Sequence, residues 1–444
     1  MAFAQEATPP SSNSGGQTSG SALPASSATV PPSAYGTEST PEQPAEKKPA
    51  AAATEEGFSL PGGFGYAPLN FTPGQGKFEK EPLSFSTTLQ QGYDDNIYSS
   101  SGKAGSVAKK GSMVTNLSEG VEILLAQSRL GLSLDAGVGG IYYWDRTGDQ
   151  LTPNANLNLL FAYKLTPRAQ FSAVVTGVYT SQSSQSPVYG VTQSTSGKSY
   201  FTTNSKFDFL YKWTPRFSTD TTYANNSIYY PSTTQSTSNY VEQTLGQSLR
   251  YGLTEQVTGV LEGRVSDTTY KLSTYDTTTY YFLVGADVTF SRRFSGTFRI
   301  GDTTRNYQNG GGSSASSPYF EATTDYSLTK YSKLGCNLRY GFEPSTYGGG
   351  NKAARAGVSF SQVFTPKLRG AVSVNFGNLD YAQNGATSAT TLNRNELTTT
   401  LGVQYALTQR TSVFSNISRI QVFSSNENAA YNRDMIYLGA TFQY

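Results

Sequence analysis

From about residue 82 to the end of the chain, apolar and polar side chains alternate with a period of two. Around residue 160, Leu157, Leu159 and Phe161 occupy odd positions with polar or small residues between them, and residues 280–290 and 397–407 show the same pattern. Successive side chains of a β-strand point to opposite faces, so each segment has one apolar face and one polar face. The pattern predicts an all-β fold, and alternation alone fits a soluble β-sandwich as well as a membrane barrel.

A short motif recurs between the alternating segments: a large apolar residue, then Thr or Ser, then one or two polar residues. Its clear members begin at Leu165, Trp213, Leu253, Phe290, Leu328, Phe364 and Leu407, at intervals of 48, 40, 37, 38, 36 and 43 residues, and a weaker member begins at Ala126. Each interval holds two strands and one longer connection rich in Ser, Asn, Gly and Tyr. The repeat predicts one β-hairpin per interval, with tight turns at one end and long loops at the other.

The unequal ends of these hairpins favour a bacterial outer-membrane barrel, which has short periplasmic turns and longer extracellular loops. Counting strands between the turns gives starts near residues 83, 113, 129, 153, 168, 199, 216, 238, 256, 278, 294, 317, 332, 352, 367, 394, 410 and 430. Eighteen strands need eight tight turns and nine longer loops, and the sequence supplies eight turns. We therefore expect an antiparallel up-and-down transmembrane β-barrel over residues 82–444 of a Gram-negative outer membrane, with sixteen strands as the alternative count.

The last predicted strand ends on an aromatic residue. Ile436, Leu438, Phe442 and Tyr444 share one face of the strand, and polar or small residues occupy most of the other. An amphipathic strand that ends in this way resembles the C-terminal signal read by the bacterial barrel-assembly machinery. We interpret Leu438, Phe442 and Tyr444 as that signal, against the alternative of an ordinary last strand.

The N-terminal region has a different composition. Residues 1–57 are rich in Pro, Ser, Ala, Gly and Thr, which cannot bury enough apolar surface to offset the entropy of ordering, so we predict a disordered tail on the periplasmic side. Residues 58–81 form a Gly and aromatic linker or a plug that folds into the lumen. Residues 1–5 contain a small-x-small pattern, which we interpret as the remnant of a secretory signal peptide, with a chance match as the alternative.

Composition removes most enzyme classes. Histidine is absent, which excludes every mechanism with a histidine base and every histidine-ligated metal site. Cys336 is the only cysteine, so no disulfide forms within the chain. The net charge of +2 does not indicate nucleic-acid binding, and no run approaches the ~18 apolar residues of a membrane helix. We expect no enzymatic activity and no cofactor.

The first predicted strand ends in Tyr93, Asp94, Asp95, Asn96 and Ile97. This run on an opening strand resembles the putative β-barrel porin 2 family of Gram-negative outer membranes, whose members often accompany exopolysaccharide genes. By parity Asp94 and Asn96 face the lumen, and Asp95 belongs to the lipid side near the outer end of the strand, at or beyond the interface. The two carboxylates and the amide offer oxygen ligands for Ca²⁺, but no glycine-punctuated ligand loop follows, so a hydrogen-bonding role at the rim is favoured.

Parity also assigns a charged set to the polar, lumenal face in the second half of the barrel. Its members are Glu242, Arg250, Glu262, Arg264, Asp287, Arg299, Arg305, Glu321, Asp325, Arg339, Glu343 and Arg355. Arginines that face carboxylates across a channel create a transverse field that filters small polar solutes. Here acids and bases alternate on neighbouring strands, so pairing along the wall is the favoured interpretation.

Aromatic residues are the other conspicuous set. Most have lipid-side parity near strand ends, as do Phe207, Phe209, Tyr211 and Trp213, which predicts an interfacial girdle rather than a lumenal path for sugars. The preferred function is passive passage of small hydrophilic solutes, with saccharides as candidates and outer-membrane lipid as the surroundings. The alternative is a non-conducting accessory of exopolysaccharide export or a barrel whose loops bind a partner. Porins of this width occur as trimers, so a homotrimer is the assembly considered.

Overall fold

A computed structural model describes residues 82–103, 108–180, 199–231, 239–271, 276–291, 293–308, 314–344, 350–381, 392–425 and 427–444. Its strands are β1 (Leu83–Asp94), β2 (Ser112–Ala126), β3 (Leu130–Tyr143), β4 (Leu151–Lys164), β5 (Ala169–Thr180), β6 (Tyr200–Lys212), β7 (Phe217–Tyr229), β8 (Tyr240–Gly252), β9 (Val257–Tyr270), β10 (Thr277–Ser291), β11 (Phe294–Tyr307), β12 (Ala315–Thr329), β13 (Ser332–Pro344), β14 (Gly350–Val363), β15 (Leu368–Tyr381), β16 (Leu392–Ala406), β17 (Thr411–Ser424) and β18 (Tyr431–Gln443). A 3₁₀ turn, Glu427–Ala429, precedes β18. Among these residues no helix is both long and apolar enough to cross a membrane.

The strands form one closed antiparallel barrel. Each strand pairs with its neighbours in sequence, and β1 also pairs with β18, so the sheet of 18 strands has no free edge. At the seam the backbone nitrogen of Phe85 lies 3.0 Å from the carbonyl oxygen of Tyr444, and the reciprocal bond measures 2.9 Å. The eighteen-strand count is therefore correct, and every expected strand start lies within two residues of the observed one. The predicted tail, linker and signal remnant in residues 1–81 lie outside the described residues.

The apolar side chains point outward, which inverts the arrangement of a soluble protein. Leu89, Phe282 and Leu438 are 55%, 64% and 67% exposed on the outer surface. Their sequence neighbours point inward and are mostly Ser, Thr, Asn, Gly or charged. An apolar exterior around a polar interior is the pattern that a hydrocarbon surrounding selects.

The two ends of the barrel differ in their connections. The eight turns that follow even-numbered strands span two to four residues, and the nine connections that follow odd-numbered strands span five to nineteen. We call these the turn end and the loop end.

The recurring Thr explains why the tight turns form where they do. The Thr254 hydroxyl oxygen accepts hydrogen bonds from the backbone nitrogens of Gln256, at 3.2 Å, and Val257, at 3.0 Å. Four further turns show the same pair of bonds, at Thr166, Thr214, Thr365 and Thr408. The side chain replaces partners that the reversing backbone cannot supply. The large apolar residue before each Thr, such as Leu253, is exposed on the outer surface.

Replacing Thr254 with Ala should destabilise the barrel, because two backbone N–H groups lose their acceptor. By analogy with the loss of a helix cap, we expect a decrease of about 1 kcal/mol in the free energy of unfolding. Urea titration of the refolded protein in detergent measures this value. T254S retains the oxygen and is the control, and equal losses in both variants would contradict the assigned role of the hydroxyl.

Candidate functional site: the barrel lumen

Access to the inward side chains changes along the barrel axis. On β12, Ser317 and Tyr319 near the loop end are buried, Glu321 and Thr323 are half-buried, and Asp325 near the turn end is exposed. Other strands, including β1, β8 and β14, show the same trend. The lumen is therefore accessible from the turn end and closely filled towards the loop end.

A chain of ion pairs begins on the wall formed by β7 to β11. Asp220 and Asp287 both lie against the guanidinium of Arg250, with N–O distances of 3.1 and 3.2 Å. Asp287 also pairs with Arg299 at 2.8 Å. The Arg250–Asp287 pair reaches across β9, because an arginine side chain is long enough to lie along the wall.

The same chain continues towards the loop end. Glu262 accepts from Arg299 at 3.1 Å and from Arg264 at 2.5 Å. Arg264 then reaches Glu321, at 3.4 Å, across two intervening strands. The Tyr319 hydroxyl donates to Glu321 at 2.5 Å, and the Arg264 guanidinium lies 5.9 Å from the Tyr319 ring centroid. Acid and base alternate from Asp220 to Glu321, so this chain of pairs carries little separation of charge across the lumen.

A second cluster occupies β13 and β14. Arg355 donates to both carboxylate oxygens of Glu343, at 2.6 and 2.7 Å, and Arg339 lies 3.7 Å from the same carboxylate. Pairing between β12 and β13 stops at Phe320 and Tyr340, and residues 341–344 beyond it are buried on both faces of the strand. This end of β13 therefore bends into the barrel.

The remaining predicted lumenal charges stand apart from these chains. Glu242 is buried and accepts hydrogen bonds from Asn226, at 3.2 Å, and Ser266, at 2.9 Å. Arg305 is fully buried and donates from Nε to Thr279 at 3.1 Å. Asp325 is exposed near the turn end. All twelve predicted residues thus lie on the inward parity, and contact with a solute stays a prediction for each of them.

Several lumenal charges were not in the predicted set. Lys206 pairs with Asp208 at 2.9 Å, and Arg394 pairs with Glu396 at 2.6 Å. Asp220 was also missed. Each has the inward parity of its strand, so applying the same rule to every strand would have found them.

Tyrosine is also plentiful inside the barrel, which was not predicted. Tyr200, Tyr230, Tyr240 and Tyr270 form a buried cluster with Ile228 at the loop end. A second cluster joins Tyr281, Leu283 and Tyr319, with the two tyrosine ring centroids 5.6 Å apart. Their parity, shared with neighbouring Thr and Glu residues, was the available signal.

The predicted outer girdle is present beside this inner layer. Phe209 and Trp213 are 41% and 56% exposed on the outer surface, and Phe207 and Tyr211 are half-buried beside them. Tyr211 packs edge-on against Trp213 with ring centroids 4.7 Å apart.

Asp94, of the motif on the first strand, lies at the seam where the barrel closes. Arg433 of β18 donates from Nε to both carboxylate oxygens of Asp94, each at 3.0 Å, and from Nη2 to Oδ2 at 2.5 Å. Neither side chain is more than 1% exposed. The Arg433 guanidinium also donates to the Ser99 hydroxyl at 3.1 Å. A buried, bidentate pair therefore joins the first and last strands.

The rest of the motif extends this junction. The Asn96 amide donates to the backbone oxygens of Ser100, at 2.8 Å, and Asn432, at 2.9 Å. Asp95 accepts from the backbone nitrogen of Asp434 at 2.7 Å and from Lys109 at 2.6 Å. The motif thus makes hydrogen bonds at the rim, which is the role favoured over calcium binding. Within the described ranges, no group of three or more acidic or cysteine side chains is arranged to hold a metal ion.

Residues 83–444 match the model of the putative β-barrel porin 2 family. The chain belongs to this family. The resemblance inferred from Tyr93 to Ile97 is confirmed, and the protein is an outer-membrane β-barrel of a porin family, a class that is typically non-enzymatic. No curated protein matches the sequence.

Solved structures resemble this family member only distantly. OccAB4 of Acinetobacter baumannii is 13% identical, with a TM-score of 0.40, and the match covers 82% of this chain and 99% of that one. OpdK of Pseudomonas aeruginosa is 9% identical, with the same score and the same coverage. The siderophore receptor PirA of Pseudomonas aeruginosa is 10% identical with a TM-score of 0.37, and the match covers 83% of this chain and 81% of the receptor.

The Asp94–Arg433 pair should contribute more to the stability of this porin-family barrel than most other ion pairs. D94N removes the carboxylate charge that pairs with the buried Arg433, so we expect a loss of about 3–5 kcal/mol in the free energy of unfolding. D95N disturbs a partly exposed pair with Lys109 and should lose about 1 kcal/mol or less. Urea unfolding of both refolded variants in the same detergent gives the comparison, and equal losses would refute a special role for the buried pair.

Proposed function

We propose that this protein is a passive channel for small hydrophilic solutes, with saccharides as candidate substrates. The observation that supports this function is the ion-paired lumenal wall between Asp220 and Glu321, where each arginine has a carboxylate within 3.4 Å. Amide side chains such as Asn156 and Asn337 lie on the same inward face. Such a surface exchanges hydrogen bonds with hydroxyl groups without holding an ion strongly.

In the proposed orientation the turn end faces the periplasm and the loop end faces the exterior, as in other outer-membrane barrels. β1 then begins at the periplasmic end, so the proposal assigns residues 1–57 to the periplasm and residues 58–81 to a linker or a plug of the lumen. Leu438, Phe442 and Tyr444 are 67%, 48% and 56% exposed on the outer surface, where the barrel-assembly machinery would read them during insertion. A homotrimer in outer-membrane lipid is the proposed assembly.

The filled loop end favours a second candidate function. Inward side chains such as Tyr319, Leu283 and Leu379 are completely buried there. A barrel closed at this level would act without conduction, as an accessory of exopolysaccharide export or through loops that bind a partner. The two candidates differ in one measurable property, the passage of ions.

Single-channel conductance in a planar bilayer tests the proposal directly. We expect steps whose size grows with salt concentration, and interruption of the current by neutral sugars that enter the lumen. A matched protein that starts at residue 82 shows whether the N-terminal region blocks the lumen. Silence from both folded proteins would contradict the channel and support the accessory role.

The double variant Y281A/Y319A should enlarge the conductance steps, because it removes two rings from the filled half of the lumen. Y223A makes the same change on the outer surface, where Tyr223 is 39% exposed, and is the control. The measurement is the step size in the same salt solution for all three proteins. Unchanged steps in the double variant would place the narrowest point elsewhere.

A further inference from the structure

Arg305 differs from every other arginine in the predicted lumenal set. Its neighbours Thr304 and Asn306 are exposed on the outer surface, so its own side chain points inward, where it is 0% exposed. Nε donates to Thr279, but neither terminal nitrogen has a hydrogen-bond partner among the described residues. The other five arginines of the set, Arg250, Arg264, Arg299, Arg339 and Arg355, each have a carboxylate within 3.7 Å.

The group packed against this guanidinium is aromatic rather than acidic. The guanidinium carbon of Arg305 lies 5.3 Å from the ring centroid of Phe342. A cation–π contact stabilises the arginine but carries no negative charge, so it leaves the positive charge uncompensated. Phe342 lies in the inward-bent end of β13, which places this charge beside the filled half of the lumen.

The adjacent carboxylate is already shared. Glu343 follows Phe342 in the chain and binds both Arg355 and Arg339. In the described part of this sector, β11 to β14, the loop half of the lumen holds three arginines, Arg305, Arg339 and Arg355, and two glutamates, Glu343 and Glu321, the second of which pairs with Arg264. The excess is one positive charge, and Arg305 is the arginine without an ion-pair partner among these described residues. The contiguous set Arg305, Arg339, Phe342, Glu343 and Arg355 is called the basic sector below.

We propose that the basic sector gives the lumen a preference for anionic solutes, and that Arg305 is its specificity-determining residue. The inference deepens the proposed channel function and rests on it. The solutes favoured are small hydrophilic molecules that carry a carboxylate or phosphate group, acidic sugars among them. Because the guanidinium is enclosed, it acts through its field and not by contact. A fixed charge in a narrow lumen with low-dielectric walls acts over roughly 8–10 Å at moderate salt.

The reversal potential across a KCl gradient measures this preference. We expect the wild-type channel to pass chloride more readily than potassium. R305Q should lower the chloride-to-potassium permeability ratio about twofold to fourfold, which is the effect of one charge at roughly 10 Å with partial screening. R305K keeps the charge and should retain the ratio, whereas R305E should reduce it further. R419Q is the control, because it removes an arginine that is 52% exposed on the outer surface.

Stability provides a readout that does not need a current. Removing a buried charge that has no opposite charge beside it lowers the free energy of unfolding little or raises it. Removing a paired charge leaves its partner buried without an opposite charge and destabilises the protein. R305Q should therefore unfold at the same urea concentration as the wild type or a higher one, and R355Q, which leaves Glu343 with Arg339 alone, at a lower one. An equal loss in both variants would overturn the claim that Arg305 lacks a counter-charge.

The outcomes separate the two proposals. Conducting channels whose permeability ratio is the same in wild type, R305Q and R305E would overturn the anion preference and leave the channel intact. Silence from every folded variant would overturn the channel, and the selectivity with it. Retention of the ratio by R305K together with its loss in R305Q would support both.

Discussion

The constraint on which the structure depends is that no backbone N–H or C=O group can be left unpaired in hydrocarbon. An antiparallel sheet satisfies this constraint only when its first strand pairs with its last. Here β1 and β18 pair from Ser86 to Asp94. Closure then determines which side chains face lipid and which face the lumen, because the two directions alternate along each strand once the register is set. The buried pair of Asp94 and Arg433 sits on this seam. A bidentate contact between one partner at the start of the barrel and one near its end favours a single register for closure.

Inside the barrel the constraint is a different one, because charged side chains lie close together in a confined space. The wall resolves it by alternating acid and base, as in the series from Asp220 through Arg250 and Asp287 to Arg299. Each charge there has an opposite charge in reach, and such a wall has little field to sort ions. Arg305 departs from this rule. Against an ion-paired background, one charge that has no ion-pair partner among the described residues matters more than it would on a charged surface, because no paired carboxylate cancels its field.

Most of the fold could be predicted because two local signals repeat around the barrel. The period of two sets the strands, and the hydroxyl of a residue such as Thr254 stabilises five of the eight turns, so both signals can be found without knowing what lies across the lumen. The charged lumenal face followed from the same parity. The ion-pair partners of the lumenal charges could not be predicted. Arg264 contacts Glu321 across two intervening strands, and this contact depends on strand stagger and side-chain rotamers, which the alternation does not encode. The inner tyrosines were missed because aromatic residues were assigned to the girdle as a class.

The unequal filling of the lumen connects these features to transport. The accessible half, lined by hydroxyl, amide and ion-paired groups, admits polar solutes of many kinds, so we expect discrimination in the filled half, where passing groups come close to the wall. Tyr281, Tyr319 and the inward-bent end of β13 lie at that level, as does the basic sector. Steric and electrostatic selection would then act at the same depth. Beyond Phe320 and Tyr340, β12 and β13 are no longer paired, and the end of β13 projects into the lumen.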